Sequence, residues 1–115
     1  MTRNTLGKLG LPLSIRHKIA RVGQQIKLAR KRRGLTMKEM ADRMFVTRKT
    51  LHRLEAGDPG ISFAILASAM LTLGLEDDLD HLANPDTDTT GNLMDKRSHD
   101  QKQRIRSSRK VDMDF

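Results

Sequence analysis

"GLTMKEMADRMFVTRKTLHRLEAG", Gly34 to Gly57, decides the fold. It holds two short periodic segments separated by little more than Phe45, Val46 and Thr47. Thr36 precedes the first, with Glu39 three residues on. That spacing lets the hydroxyl accept the Glu39 amide while the carboxylate accepts the Thr36 amide, a capping box. Thr47 is placed to cap the second segment, and Gly57 stands where a left-handed residue commonly closes a helix. Two helices over about Met37–Met44 and Arg48–Ala56, joined by so short a turn, have the proportions of a helix-turn-helix. The second helix of such a unit lies in the DNA major groove.

That second helix has two faces. With a rotation of about 100° per residue and Arg48 at the origin, His52, Lys49 and Arg53 fall at roughly 40°, 100° and 140°. Leu51 and Leu54 fall at roughly 300° and 240°. The leucines hold one side to the rest of the domain, and the cationic set faces outward together. Arg presents a fork that takes guanine O6 and N7 at once, Lys reaches the same acceptors, and His52 can donate to a base or a phosphate. Arg48, Lys49, His52 and Arg53 are therefore the candidate base-reading residues. A solvated helix face is the plainer account of the same four. The short turn, the caps and the acid-free segment before them favour the DNA reading.

Upstream, Ile15, Ile19, Val22, Ile26 and Ala29 recur at spacings of four and three, which predicts a helix over about Ser14–Arg33, closed by Gly34. Its end offers Lys31 and Arg32 to phosphates, and the starts of the two motif helices offer Thr36, Met37 and Lys38, then Thr47 and Thr50. Downstream, Ser62 caps "FAILASAMLTL", Phe63–Leu73, which is apolar on every side. Such a helix is expected to be wholly buried, partly in the core and partly in a homodimer interface made by Phe63, Ile65, Leu66, Met70 and Leu73. After Gly74, "EDDLDHLA" predicts a fifth, acidic amphipathic helix. From Asn84 the chain is too polar to form a core. The expected organisation is a flexible basic arm over residues 1–13, an all-α DNA-binding and dimerisation domain over 14–83, and a flexible tail over 84–115.

Composition agrees with this plan and excludes much else. The chain of 115 residues has three Phe, no Trp and no Tyr, so its core must be Leu, Ile, Met and Ala, which suits packed helices. The seven methionines are core filler. Without cysteine there is no disulfide, zinc finger or thiol nucleophile, and a reducing compartment is the default. The longest apolar stretch, Phe63–Leu73, falls short of the roughly 20 residues that span a bilayer, so no membrane is expected. The basic, acid-free N-terminus superficially fits a transit peptide, but it runs unbroken into the first helix, and the cytoplasm is expected. His17, His52, His81 and His99 are scattered without ligand spacing, so neither metal nor cofactor is expected, and nothing supports an enzyme.

The net charge of +8 is unevenly spread. Residues 1–38 hold eleven Lys or Arg and no acid, residues 61–90 hold six acids and no Lys or Arg, and residues 91–115 return to seven bases against four acids. A polyanion on one surface and a different partner on another would use that division. Glu76, Asp77, Asp78 and Asp80 are a solvated helix start at their plainest and a partner-facing patch otherwise.

The Gly34–Gly57 stretch resembles the helix-turn-helix of the Xre/lambda-repressor family. The Leu35-Thr36 opening, Ala41, Val46, Thr47 and the closing Leu54-Glu55-x-Gly57 match together, and residues about 14–83 follow that family's five-helix plan. The resemblance implies base reading by Arg48, Lys49, His52 and Arg53. It also implies a structural ion pair between Glu55 and an arginine late in the first helix, here Arg30. Two positions depart from the pattern. Met37 stands where the family most often has a glutamine that contacts DNA. Phe45 fills a turn position usually held by Gly or Asn, which implies a turn shielded by a local hydrophobic contact, with strain if it is left-handed.

The later sequence, "GDPGISFAILASAMLTLGLEDDLDHLANP" with a basic "RIRSSRK" and a terminal "DMDF", is similar to HipB-like antitoxins. Those are dimeric autorepressors that bind a HipA-family Ser/Thr kinase toxin. The implied function is a homodimeric, sequence-specific repressor on a palindromic operator in double-stranded DNA, with such a kinase as second partner. A stand-alone phage-type repressor and a helix-turn-helix protein-interaction adaptor are the alternatives. The alternating "VDMDF" could add as an edge strand to another protein.

Overall fold

The computed structural model describes residues 10–113, with side chains as far as Ser107. Most of the expected basic arm, residues 1–9, lies outside the described residues, as do Asp114 and Phe115 of the terminal motif. All regular structure described is helical: α1 (Leu13–Arg32), α2 (Met37–Met44), α3 (Arg48–Glu55), α4 (Phe63–Leu73), a 3-10 helix (Glu76–His81) and α5 (Thr89–Met113). No described helix is long and apolar enough to cross a membrane.

Local chemistry starts these helices where the sequence says. The Thr36 hydroxyl accepts the Glu39 amide at 3.0 Å and the Thr36 amide donates to the Glu39 carboxylate at 3.2 Å, closing the capping box. Thr47 accepts the Thr50 amide at 3.1 Å and Ser62 the Ile65 amide at 3.2 Å. Each cap satisfies an amide that the first turn would otherwise leave without a partner.

Packing then joins α1 to α4. Ile26 from α1, Met40, Ala41 and Met44 from α2, Leu51 and Leu54 from α3, and Ala69 and Leu73 from α4 form the buried core. The closest crossing, α1 over the end of α3, depends on two glycines. A Cβ on Gly23 would lie 2.6 Å from the Glu55 carbonyl oxygen, and one on Gly57 would lie 2.5 Å from the Ala20 Cα. Gly57 also has φ 76°, which an L side chain strains to adopt. Backbones touch here because no side chain separates them. Arg33 adds a strut between the ends of α1 and α4, its Nε donating to the Leu73 carbonyl at 3.0 Å.

Within one chain α4 is buried on one side only: Phe63 and Leu71 are 60% and 65% exposed, because one chain supplies neighbours for only one side of an all-apolar helix. On α1, Ile26 is buried, but Ile15 and Val22 are about 40% exposed, since α2–α4 cover the second half of that stripe more fully than the first. Two expectations are corrected. The fifth helix is a 3-10 segment with no buried residue, as "EDDLDH" offers Leu79 alone as an apolar anchor. Residues 89–113 are helical rather than a structureless tail. Composition was a guide to burial there and not to helicity. The α5 side chains described are exposed apart from the half-buried Gly91, and the Asp88 carboxylate starts the helix by accepting the Gly91 amide at 2.9 Å.

A chain truncated after Pro85 is accordingly expected to melt at nearly the same temperature as the full chain. It should lose far-ultraviolet ellipticity equivalent to the 25 residues of α5. A large fall in melting temperature would show that α5 stabilises the helix-turn-helix unit.

Candidate nucleic-acid interface

The interface is built from α3 and the helix ends around it. Leu51 is fully buried and Leu54 nearly so, which fixes the inner side of α3 against α1 and α2. Arg48, Lys49 and His52 are exposed on the other side, in the first turn and a half. No acid stands in the first turn of α3, so the partial positive charge of its N-terminus is undiminished. Thr47 and Thr50 share a hydroxyl–hydroxyl hydrogen bond of 3.0 Å at that terminus.

The far end of α3 is clamped. Arg30 Nε donates to Glu55 Oε2 at 2.8 Å and Arg30 Nη2 to Glu55 Oε1 at 3.1 Å, a two-pronged pair with side chains only 8% and 4% exposed. The third guanidinium nitrogen donates to the Leu35 carbonyl at 2.9 Å. One buried cation thus ties α1, the loop into α2 and the end of α3. No buried side-chain polar atom among the described residues lacks a partner.

Arg53 is placed differently from its three neighbours. Its Nε donates to Asp58 Oδ2 at 2.8 Å, and the other Asp58 oxygen accepts the Gly60 amide at 2.8 Å. The Arg53 side chain is half-buried, 39% exposed, and braces the loop after α3. The helical wheel gave its direction and could not see the carboxylate five residues on.

Other candidates divide in the same way. Lys31 and Arg32, in the last turn of α1, and Thr36, Lys38 and Thr47 are exposed, whereas Thr50 is half-buried. Met37 is half-buried and packs against the core, which leaves its backbone amide at the start of α2 as the group it can offer a phosphate. The start of α2 is a weaker anion site than that of α3, because Glu39 stands in its first turn. Hydrogen bonds from the Thr36 backbone and side chain hold Glu39 below the usual carboxylate range.

Leu73 is 4% exposed in the chain's own core, so it leaves the expected dimer face, while Ile65, Leu66 and Met70 remain half-buried. Phe63 and Leu66 border an apolar cleft of about 220 Å³ shared with Ile19, Val22, Leu54 and Ile61. Among the described residues no three His, Cys, Asp or Glu are grouped to hold a metal ion. Phe45 is left-handed at φ 57° and 96% exposed, so the expected hydrophobic shield over the turn is absent. Sequence reasoning also passed over Gly23 and Arg33. A glycine inside a helical pattern was the available signal for the first; no local signal marked the second.

No curated protein and no solved structure matches the chain. A family model described as a helix-turn-helix domain matches residues 21–82, from the middle of α1 to just past the 3-10 helix, and so takes in both the clamp and the cationic face. By that match, which covers more than half its length, the chain belongs to the helix-turn-helix domain family.

Proposed function

We propose that the protein is a sequence-specific DNA-binding repressor that acts as a homodimer on a palindromic operator. The observation that carries this reading is the division of α3: Leu51 and Leu54 are buried, while Arg48, Lys49 and His52 stand exposed at an N-terminus free of acids. Phe63 and Leu71, exposed on α4, are the apolar surface a second copy would cover. Two-fold symmetry would set the two recognition helices about 10 bp apart, or a multiple of that. Acting on DNA, the protein works in the cytoplasm.

A finer reading is a HipB-like antitoxin that also binds a HipA-family Ser/Thr kinase toxin. It is supported by the separation of charge. Glu76, Asp77, Asp78 and Asp80 are exposed within a stretch that has no Lys or Arg, a surface of the wrong sign for DNA and a usable one for a second partner. Co-purification with a HipA-family kinase tests it, and loss of that association on charge-neutralising those four acids is expected. No association leaves a stand-alone repressor.

DNA reading is tested by separating base contacts from phosphate contacts. Arg48→Ala is expected to cost about 1–3 kcal/mol per half-site on a duplex selected from a random library, and to relax preference at one position. Lys31→Ala should weaken the selected and an unrelated duplex by a similar factor, and flatten the salt dependence by about one unit of slope. Titrations of both duplexes over a salt series decide the matter. Equal weakening of both by Arg48→Ala would reduce α3 to an electrostatic surface and favour a protein-interaction adaptor.

A further inference from the structure

Phe45 combines two features that the free chain has no use for. Its ring is 96% exposed, and its backbone is left-handed, with φ 57° and ψ 38°. A large aromatic side chain in water and an L-residue at positive φ are each unfavourable, and glycine would avoid both. The turn does not require the ring. It is closed by the Phe45 amide on the Asp42 carbonyl at 3.2 Å and the Val46 amide on the Ala41 carbonyl at 3.0 Å, bonds that a glycine would make equally well.

Position suggests the use. Val46 packs against the core, and its neighbours Phe45 and Thr47 are both exposed. Three residues of chain span at most about 11 Å, so Phe45 lies within that distance of Arg48, the first residue of α3. The B-DNA major groove is about 12 Å wide. When the start of α3 enters the groove, Phe45 is therefore within reach of its edge. Arg43 in the last turn of α2 and Arg48 at the start of α3 flank the ring in sequence, and both are exposed. Those cations favour a polyanion at this spot over a second copy bearing the same charges.

We infer that Phe45 is a DNA-contacting residue whose ring lies against a thymine 5-methyl group or a deoxyribose at the edge of the major groove. The inference rests on the DNA-binding reading above. A phenyl ring has no donor or acceptor, so its contact must be apolar, and thymine methyl is the apolar group the major groove presents. Strain held at an exposed position in the free protein is then offset only in the complex.

The test uses a duplex selected by the full chain from a random library, with Phe45→Gly and Phe45→Asn as variants, both suited to the left-handed turn. Each variant is expected to melt at the wild-type temperature or a few degrees above it, and to bind the selected duplex about tenfold more weakly. Replacing thymines by deoxyuridine one at a time then identifies the contact. Loss confined to one position for the wild type and absent in Phe45→Gly marks the methyl group. Weakening of Phe45→Gly with no sensitive thymine marks the sugar. Unchanged affinity in both variants overturns the inference and leaves the DNA-binding reading intact. Failure of the library to yield any enriched duplex overturns both. A clear fall in melting temperature, or loss of a dimer, in both variants would show that the ring is held by protein and overturn the DNA contact.

Discussion

A Glu55→Ala chain is expected to lose about 3–5 kcal/mol of stability, because it strands the Arg30 guanidinium in the interior without its carboxylate. The cation cannot turn to water by a small rotation. Its Nη1 is engaged by the Leu35 carbonyl, and its side chain is only 8% exposed. Against a total stability of about 5–15 kcal/mol for a domain of this size, the loss is a fifth or more. A thermal melt followed by circular dichroism should show it as a fall of more than about 10 °C. Replacing both partners, Arg30→Met with Glu55→Leu, should recover part of the loss, since an apolar pair leaves no buried charge behind. An unchanged melting temperature in Glu55→Ala would remove the pair from the account of stability.

The second large effect comes from a residue with no side chain. A methyl group added at Gly23 would meet the Glu55 carbonyl oxygen at 2.6 Å, the Leu54 carbonyl oxygen at 2.7 Å and the Gly57 amide nitrogen at 2.9 Å. All three are backbone atoms, so relief requires moving α1 away from α3 as a body. In an exposed helix the same glycine-to-alanine change would stabilise by about 1 kcal/mol. Here overpacking outweighs that gain, and Gly23→Ala is expected to lose about 2–3 kcal/mol. Gly23→Leu should leave no cooperative melt, because the displacement needed would also pull Arg30 from Glu55. A Gly23→Ala chain that melts at or above the wild-type temperature would show that the crossing has room to yield.

What the sequence could reveal follows the range of the interactions. Thr36, Thr47 and Ser62 were legible as caps because a cap joins residues three apart, and that spacing is written in the chain. Gly34, Gly57 and Gly74 were legible as helix ends for the same reason, and each has positive φ. The inner and outer sides of α3 followed from helical rotation alone. Gly23 showed only as a glycine inside a helical pattern, because its purpose is the backbone of Leu54, Glu55 and Gly57 in another segment. Arg33 reaches a carbonyl 40 residues away, which no periodicity encodes. The pairing of Arg53 with Asp58 was not legible, because the wheel assigns a direction and not a partner, and Asp58 lies beyond the helix. Leu73 was not legible as core for a related reason: a helix that is apolar on every side does not say which side the core takes.

Arg30 and Gly23 hold α3 from its C-terminal end, while the residues offered to DNA stand near its beginning. From Arg48 to Glu55 the rise is about 10 Å, enough for changes at the two ends to act nearly independently. Substitutions at Arg48 and Lys49 are therefore decoupled from the anchoring of the helix that bears them. A lineage could exchange those residues one at a time without passing through unfolded intermediates, so operator preference can drift while the scaffold stays fixed. The fastening at one end makes the other end evolvable.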